Sequence, residues 1–237
     1  MESAKRRRPF AAAGRGESIG ERLDTLHRTT EIACFEHARE LGFGDDVIRP
    51  KGWMWLIAKT DVVLSRPLDH DGDIVVETWP VYGSATGLLW MVEVFDRCGL
   101  LATQSYHWVL ADQSSGFPLR LPDGMKGNRA AFKALEYNRY AWGEAAPKTP
   151  LFTKTRFVSA ADLDANGHVH NTFHVRYAFE AYDVWPTRYV VIYLAPLPAM
   201  RTLTLQATQE DGFTFIEGFI DSSAATPAFT VGVRVKQ

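Results

Sequence analysis

The sequence predicts an α+β fold in which one long helix lies against an antiparallel sheet, twice in tandem. Three observations predict it. First, the segments G-E-R-L-D-T-L-H (residues 20–27) and G-H-V-H-N-T-F-H (residues 167–174) share Gly, Thr and His at one constant spacing. Second, each segment opens a stretch with helical periodicity. Third, each such stretch is followed by β-rich runs separated by turn signals, the pattern expected of a duplicated unit.

The first helix is predicted from about Asp24, an N-cap residue type, to Leu41, with Gly42 as the stop. Residues 73–82 (D-I-V-V-E-T-W-P-V-Y) read as a strand, and Pro80 confines that strand to an edge or a bend. Leu88 to Asp96 and Leu100 to Ala111 flank Arg97-Cys98-Gly99 as a hairpin. In its second strand Gln104, Tyr106, Trp108 and Leu110 share one face. Residues 122–150 mix Gly, Pro and charge around a short helical patch, Asn128 to Glu136, and read as the linker between a first half (1–121) and a second (151–237). The second helix is predicted from Thr172 to Trp185, capped by Asn171 and stopped by Pro186, with Phe173, Tyr177 and Ala181 at four-residue spacing on a broad apolar face. Thr202 to Gln209 and Phe213 to Asp221 flank the turn Glu210-Asp211-Gly212, and Phe229 to Val235 supplies a last strand.

Just ahead of the second helix runs D-L-D-A-N-G-H-V-H-N (residues 162–171), which sets Asp164, Asn166 and His168 two apart in a short polar loop. Two readings fit it. Asp-Ala-Asn-Gly is good turn chemistry, because Asx side chains bond their own backbone and Gly accepts positive φ. The same residues also form a kit for acid/base work: a carboxylate to activate water, an imidazole to exchange a proton near neutral pH, and an amide to orient either.

The 237 residues carry a formal net charge of −2, with 46% hydrophobic and 23% charged residues, so no global field points to nucleic acid. Lys5-Arg6-Arg7-Arg8 reads either as a solvated terminal tail or as an electrostatic aid to docking an acidic partner protein. Two cysteines, Cys34 in the first helix and Cys98 in a turn, make no disulfide framework and suit a reduced, cytoplasmic compartment. No apolar run reaches the roughly 20 residues of a membrane span, and no apolar segment follows the N-terminal charge as in a secretory signal.

Several segments resemble the bacterial acyl-ACP thioesterases in order and spacing: E-H-A-R-E-L-G-F-G (36–44), the Trp-bearing strand near Trp53 and Trp55, V-E-T-W-P (76–80), W-V-L-A-D (108–112), P-L-R-L-P (118–122) and D-L-D-A-N-G-H-V-H-N. The resemblance implies a tandem (double) hot dog, each half a long helix wrapped by an antiparallel sheet, with the two sheets back to back. It implies hydrolysis of the thioester joining a fatty acyl chain to the phosphopantetheine arm of acyl carrier protein, in fatty acid biosynthesis, with no metal and no organic cofactor. It assigns catalytic work to Asp164, Asn166 and His168: Asp164 activates water or attacks directly, Asn166 holds water or the carbonyl, and His168 shares the proton traffic. A tandem chain supplies its own pairing of halves, which leaves monomer and homodimer both open. Two other functions stay open as well, an acyl-CoA thioesterase of the broader hot-dog group and a non-catalytic binder of acyl thioesters or their carrier.

The sequence departs from the family pattern twice. His170-Asn171 stands where relatives have two asparagines, and His170 reads as a residue that leads into the helix or as an accessory of the site. Pro196-Leu197 stands where many relatives carry an acid, or a neighbouring cysteine, on the strand after the second helix, and proline can neither activate water nor donate a proton. Glu31, on the first helix, is the candidate replacement carboxylate reaching across the halves; the alternative is a glutamate that only favours its helix N-terminus. Trp53, Trp55, Trp79, Trp90 and Trp108 are candidate walls of an acyl tunnel or plain core.

Overall fold

A computed structural model describes residues 5–10, 16–68, 72–82, 85–123, 149–164, 167–220 and 226–236. In chain order the first half contains β1 (Arg6–Phe10), α1 (Ile19–Glu40), a short α2 (Asp45–Ile48), β2 (Trp53–Leu64), β3 (Ile74–Tyr82), β4 (Gly87–Asp96) and β5 (Gly99–Asp112). The second half contains β6 (Phe152–Phe157), α3 (Asn171–Ala181), β7 (Arg188–Tyr193), β8 (Thr202–Glu210), β9 (Phe213–Phe219) and β10 (Phe229–Arg234). Both halves thus run strand, helix, then four strands. The strands form one sheet in the order β1-β3-β4-β5-β2-β7-β10-β9-β8-β6, antiparallel throughout. Read from either end the order is the same, so a pseudo-two-fold passes between β2 and β7. The halves join edge to edge there, rather than back to back. At the seam the buried Asp61 of β2 accepts two hydrogen bonds from Arg188 of β7, at 3.1 and 2.7 Å.

Local chemistry accounts for the elements and corrects several expected boundaries. Helix α1 starts more than a turn before Asp24, because Ser18 and Glu21 form a reciprocal capping box. Asp24 is buried inside the helix instead of capping it. Gly42, at φ +81°, follows the helix end as expected. Helix α3 is capped by His170, whose side chain accepts from the Thr172 amide, so Asn171 is the first helical residue rather than the cap. It stops at Ala181, several residues short of Pro186. Pro80 pairs with Trp90 on β4 and lies past the stretch of β3 that β1 covers, where β3 is an edge strand, as expected. Asp211 and Gly212 both have positive φ, 49° and 75°, as a tight hairpin turn demands.

The basic N-terminal run is not a solvated tail. Arg6 to Phe10 pair with β3, Arg6 donates to the Ala33 carbonyl and contacts Glu36 and Glu40, Arg8 meets Glu40, and Lys5 lies over the Trp79 ring beside Glu93. Acid groups of α1, β3 and β4 neutralise the cluster within the chain. The expected helical patch at 128–136 and most of the linker lie outside the described residues. The core fills the space between the two helices and one face of the sheet. Trp55, Trp90 and Trp108 pack there in tilted and edge-on contacts with Phe35 and Phe43, at centroid distances of 4.6–6.3 Å. Trp53 carries Lys51 over its ring at the margin.

Candidate active site

The polar loop is held by the aspartate that looked least chemical. Buried Asp162 accepts hydrogen bonds from the Tyr177 hydroxyl (2.7 Å) and the Ser159 amide, while its carbonyl receives the His170 amide. Leu163 and Val169 bridge, and between them the chain turns on Gly167 at φ +79°. The Asp164 amide donates to the His168 carbonyl at 2.7 Å, and the Asp164 carboxylate accepts the His168 amide at 3.2 Å. Turn chemistry and site chemistry therefore coexist, since the bonds that close the loop also fix the carboxylate. His168 is exposed on the same loop, and Asn166 lies outside the described residues. Past the loop, the Val169 amide donates to the carbonyl of Leu197. The segment holding Pro196 and Leu197 thus braces the loop through its backbone, with Pro196 exposed.

The second carboxyl comes from the other half. Helix α1 packs against α3 closely enough that a Cβ on Gly20 would sit 2.7 Å from the Arg176 carbonyl. Arg176 spans the contact, donating to Glu21 of α1 and Glu180 of α3. Further along this seam Glu31 is buried, and burial lifts its carboxyl to about 7, with the charges of Asp164 and Asp24 pushing the same way. The Asn171 amide and the Arg28 guanidinium oppose that shift. Neither Glu31 Oε2 nor Asn171 Nδ2 completes a hydrogen bond of good geometry among the described residues, so both remain available to a third group. His170 stands beside them, its imidazole held toward the neutral form by burial first and by Arg28 second.

Asp164, Glu31, His170 and Asn171 therefore converge where the loop of the second half meets α1 of the first. Among the described residues His168 is tied to Asp164 through its backbone. Sequence reasoning took Asn171 for a cap and passed over Arg28, although Arg28 and Glu31, three apart, share a helix face. Such a site can bind water between two carboxyls, one of them poised to trade a proton near neutral pH. No group of three or more His, Cys, Asp or Glu among the described residues is arranged to hold a metal ion.

Residues 18–126 match the family of the acyl-ACP thioesterase N-terminal domain. No curated protein matches the chain in sequence. Among solved structures, an acyl-ACP thioesterase from Bacteroides thetaiotaomicron is 16% identical with a TM-score of 0.73, covering 97% of each chain. An oleoyl thioesterase (putative) from Lactobacillus plantarum is 13% identical with a TM-score of 0.77, covering 99% of this chain and 98% of its own. The 12:0-ACP thioesterase of Umbellularia californica is 18% identical with a TM-score of 0.72, covering 97% and 96%. At these identities the likeness establishes the double hot-dog fold.

Proposed function

We propose that the chain is a thioester hydrolase that releases fatty acid from acyl carrier protein, a reading supported by the match of residues 18–126 to the acyl-ACP thioesterase N-terminal domain, and that its water is activated between two carboxyls contributed by different halves, Asp164 and Glu31. The supporting observation is the buried Glu31 beside Asp164, with an unpaired oxygen and a carboxyl near neutrality. Water attacks the thioester carbon and its proton passes to Glu31, while the carbonyl electron pair moves onto oxygen. Collapse of the tetrahedral intermediate breaks the C–S bond, and the departing sulfur takes the proton back from Glu31. Asp164, fixed by its own loop, orients the water. Asn166 and His168 are assigned the loop's remaining roles, the amide holding the carbonyl and the imidazole sharing the proton traffic. His170 and Asn171 position Glu31.

Glu31 thereby stands in for the acid that Pro196 cannot supply. No helix among the described residues is long and apolar enough to cross a membrane. We place the enzyme in the cytoplasm, as a monomer or homodimer. The test is thiol release from acyl-ACPs of graded chain length by the wild type, Asp164→Ala and Glu31→Gln. Chain-length-dependent turnover that falls in both variants supports the two-carboxyl reading. Full activity in Glu31→Gln removes Glu31 from the mechanism. Acyl-ACP bound without thiol release removes hydrolysis, and faster release from acyl-CoA at matched chain length changes the carrier.

A further inference from the structure

We propose that Arg28 is the cation that stabilises the oxyanion of the tetrahedral intermediate, an inference that rests on the two-carboxyl reading. Arg28 lies on α1 one residue short of a full turn before Glu31, about 4.5 Å along the helix axis. Its guanidinium sits 5.4 Å from the centre of the Phe173 ring and donates from Nη2 to Thr172 Oγ1 at 3.2 Å and to Asp24 Oδ1 at 3.4 Å. Two of those partners, Phe173 and Thr172, belong to the first turn of α3, which follows directly from the catalytic loop. The first half thus pins its cation onto the second half at the rim of the site. The Arg28 side chain is 43% exposed, so a substrate entering the seam meets it.

Charge balance calls for this cation. The site gathers Asp164, Glu31 and Asp24, and attack on a thioester adds a further negative oxygen. Groups on every neighbouring element bear on Glu31: Asp24, Arg28 and Cys34 from α1, Asp164 from the loop, Asn171 at the start of α3, Tyr106 from β5 and Tyr193 from β7. Arg28, with Asp164 and Asp24, also bears on His170 at the cap of α3. Among these groups Arg28 is the positive one, and a guanidinium presents several N–H donors in one plane, suited to an oxyanion that forms only in the transition state. The distant phosphate of the carrier arm is not its partner, because Arg28 lies within a helical turn of the carboxyl that handles the water.

The experiment compares wild type, Arg28→Gln and Arg28→Lys on one acyl-ACP, measuring kcat, KM, the pH profile and melting temperature. Arg28→Gln is expected to lose about 10²-fold in kcat with little change in KM, as for removal of one oxyanion donor. Guanidinium chloride added below denaturing concentration is expected to restore part of the loss. The acid limb of kcat moves to higher pH in Arg28→Gln, because the cation that favours the Glu31 carboxylate is gone. Arg28→Lys keeps the charge and the limb while losing part of kcat, and it tests the idea if the glutamine variant fails to fold. An unchanged kcat and pH profile with a lowered melting temperature would reduce Arg28 to a brace between α1 and α3. If Asp164→Ala and Glu31→Gln stay active, the two-carboxyl reading fails first. If they collapse and Arg28→Gln does not, this inference alone fails.

Discussion

The two halves share one blueprint and differ at one place. At the spacing that matches His27 to His174, Asp164 corresponds to Glu17, and His168 to Glu21. In the first half those positions build the N-terminus of α1: Glu21 closes the capping box on Ser18, and Gly20 is helical and packed against α3. In the second half they build a polar loop that turns on Gly167. Extending the helix by its first turn removes the loop, so the first half keeps no such polar loop and gives helix-face residues instead. The reverse exchange holds further along, since Glu31 corresponds to Ala178 and Arg28 to Val175. Duplication followed by such divergence lets one copy provide the loop and the other the carboxyl and cation that face it. The shared residues behave alike: His27 and His174 are both buried, and burial drives them down to about 3 and about 4.

The largest expected effect breaks the symmetry directly. Asp164→Ala is expected to lower thiol release by about 10²–10⁴-fold, whereas Glu17→Ala, at the matching position, leaves the rate unchanged. Steady-state assays on one acyl-ACP check both, and equal losses would mean that the halves are not functionally divided.

Glu31→Gln is expected to slow turnover by about 10²-fold while raising stability at alkaline pH. The folded protein holds the Glu31 carboxyl at about 7, above an unfolded-chain glutamate, so the folded state binds that proton more tightly. Stability is therefore lost as pH rises from about 4.5 through 7. The glutamine variant escapes that loss and is expected to gain roughly 3 kcal/mol above neutrality and nothing in acid. Urea titrations at two pH values read the difference.

Asp61→Ala tests the seam between the halves. It removes the buried acceptor of Arg188, whose own side chain is 30% exposed, and a cost of about 2 kcal/mol follows from losing two charge-assisted hydrogen bonds. A smaller effect separates the two glycines of the repeat. Gly20→Ala forces a Cβ against the Arg176 carbonyl and is expected to cost about 1–2 kcal/mol despite the better helix propensity of alanine. Gly167→Ala has open space around it and pays only for positive φ, about 1 kcal/mol. Thermal melts rank the two, and the reverse order would misassign the close helix contact.

Much of this molecule was legible in the chain. Turn signals at Arg97-Cys98-Gly99 and Glu210-Asp211-Gly212 marked both hairpins, because positive φ and tight turns are local demands. The D-x-N-x-H loop and the duplicated helix-then-strands pattern were visible for the same reason. The start of α1 was missed because its cap, Ser18, lies upstream of the repeat that begins at Gly20. The first strand was hidden by its charge. Arg6-Arg7-Arg8 has no strand character of its own and pairs with β3 because carboxylates of α1 and β3 await it.

By itself, then, the sequence determined the local chemistry: turns, the glycine stop of the first helix, apolar faces, and a loop carrying an acid, an amide and an imidazole. These follow from propensities and periods that act over a few residues. Only the tertiary structure decided that the two sheets fuse edge to edge through β2 and β7, and that His170 rather than Asn171 caps α3. It alone brought Glu31 and Arg28, more than half the chain away from the loop, to its side. Contacts between distant segments depend on how whole elements pack, and burial of Glu31, which gives that carboxyl its chemistry, exists only once they have packed.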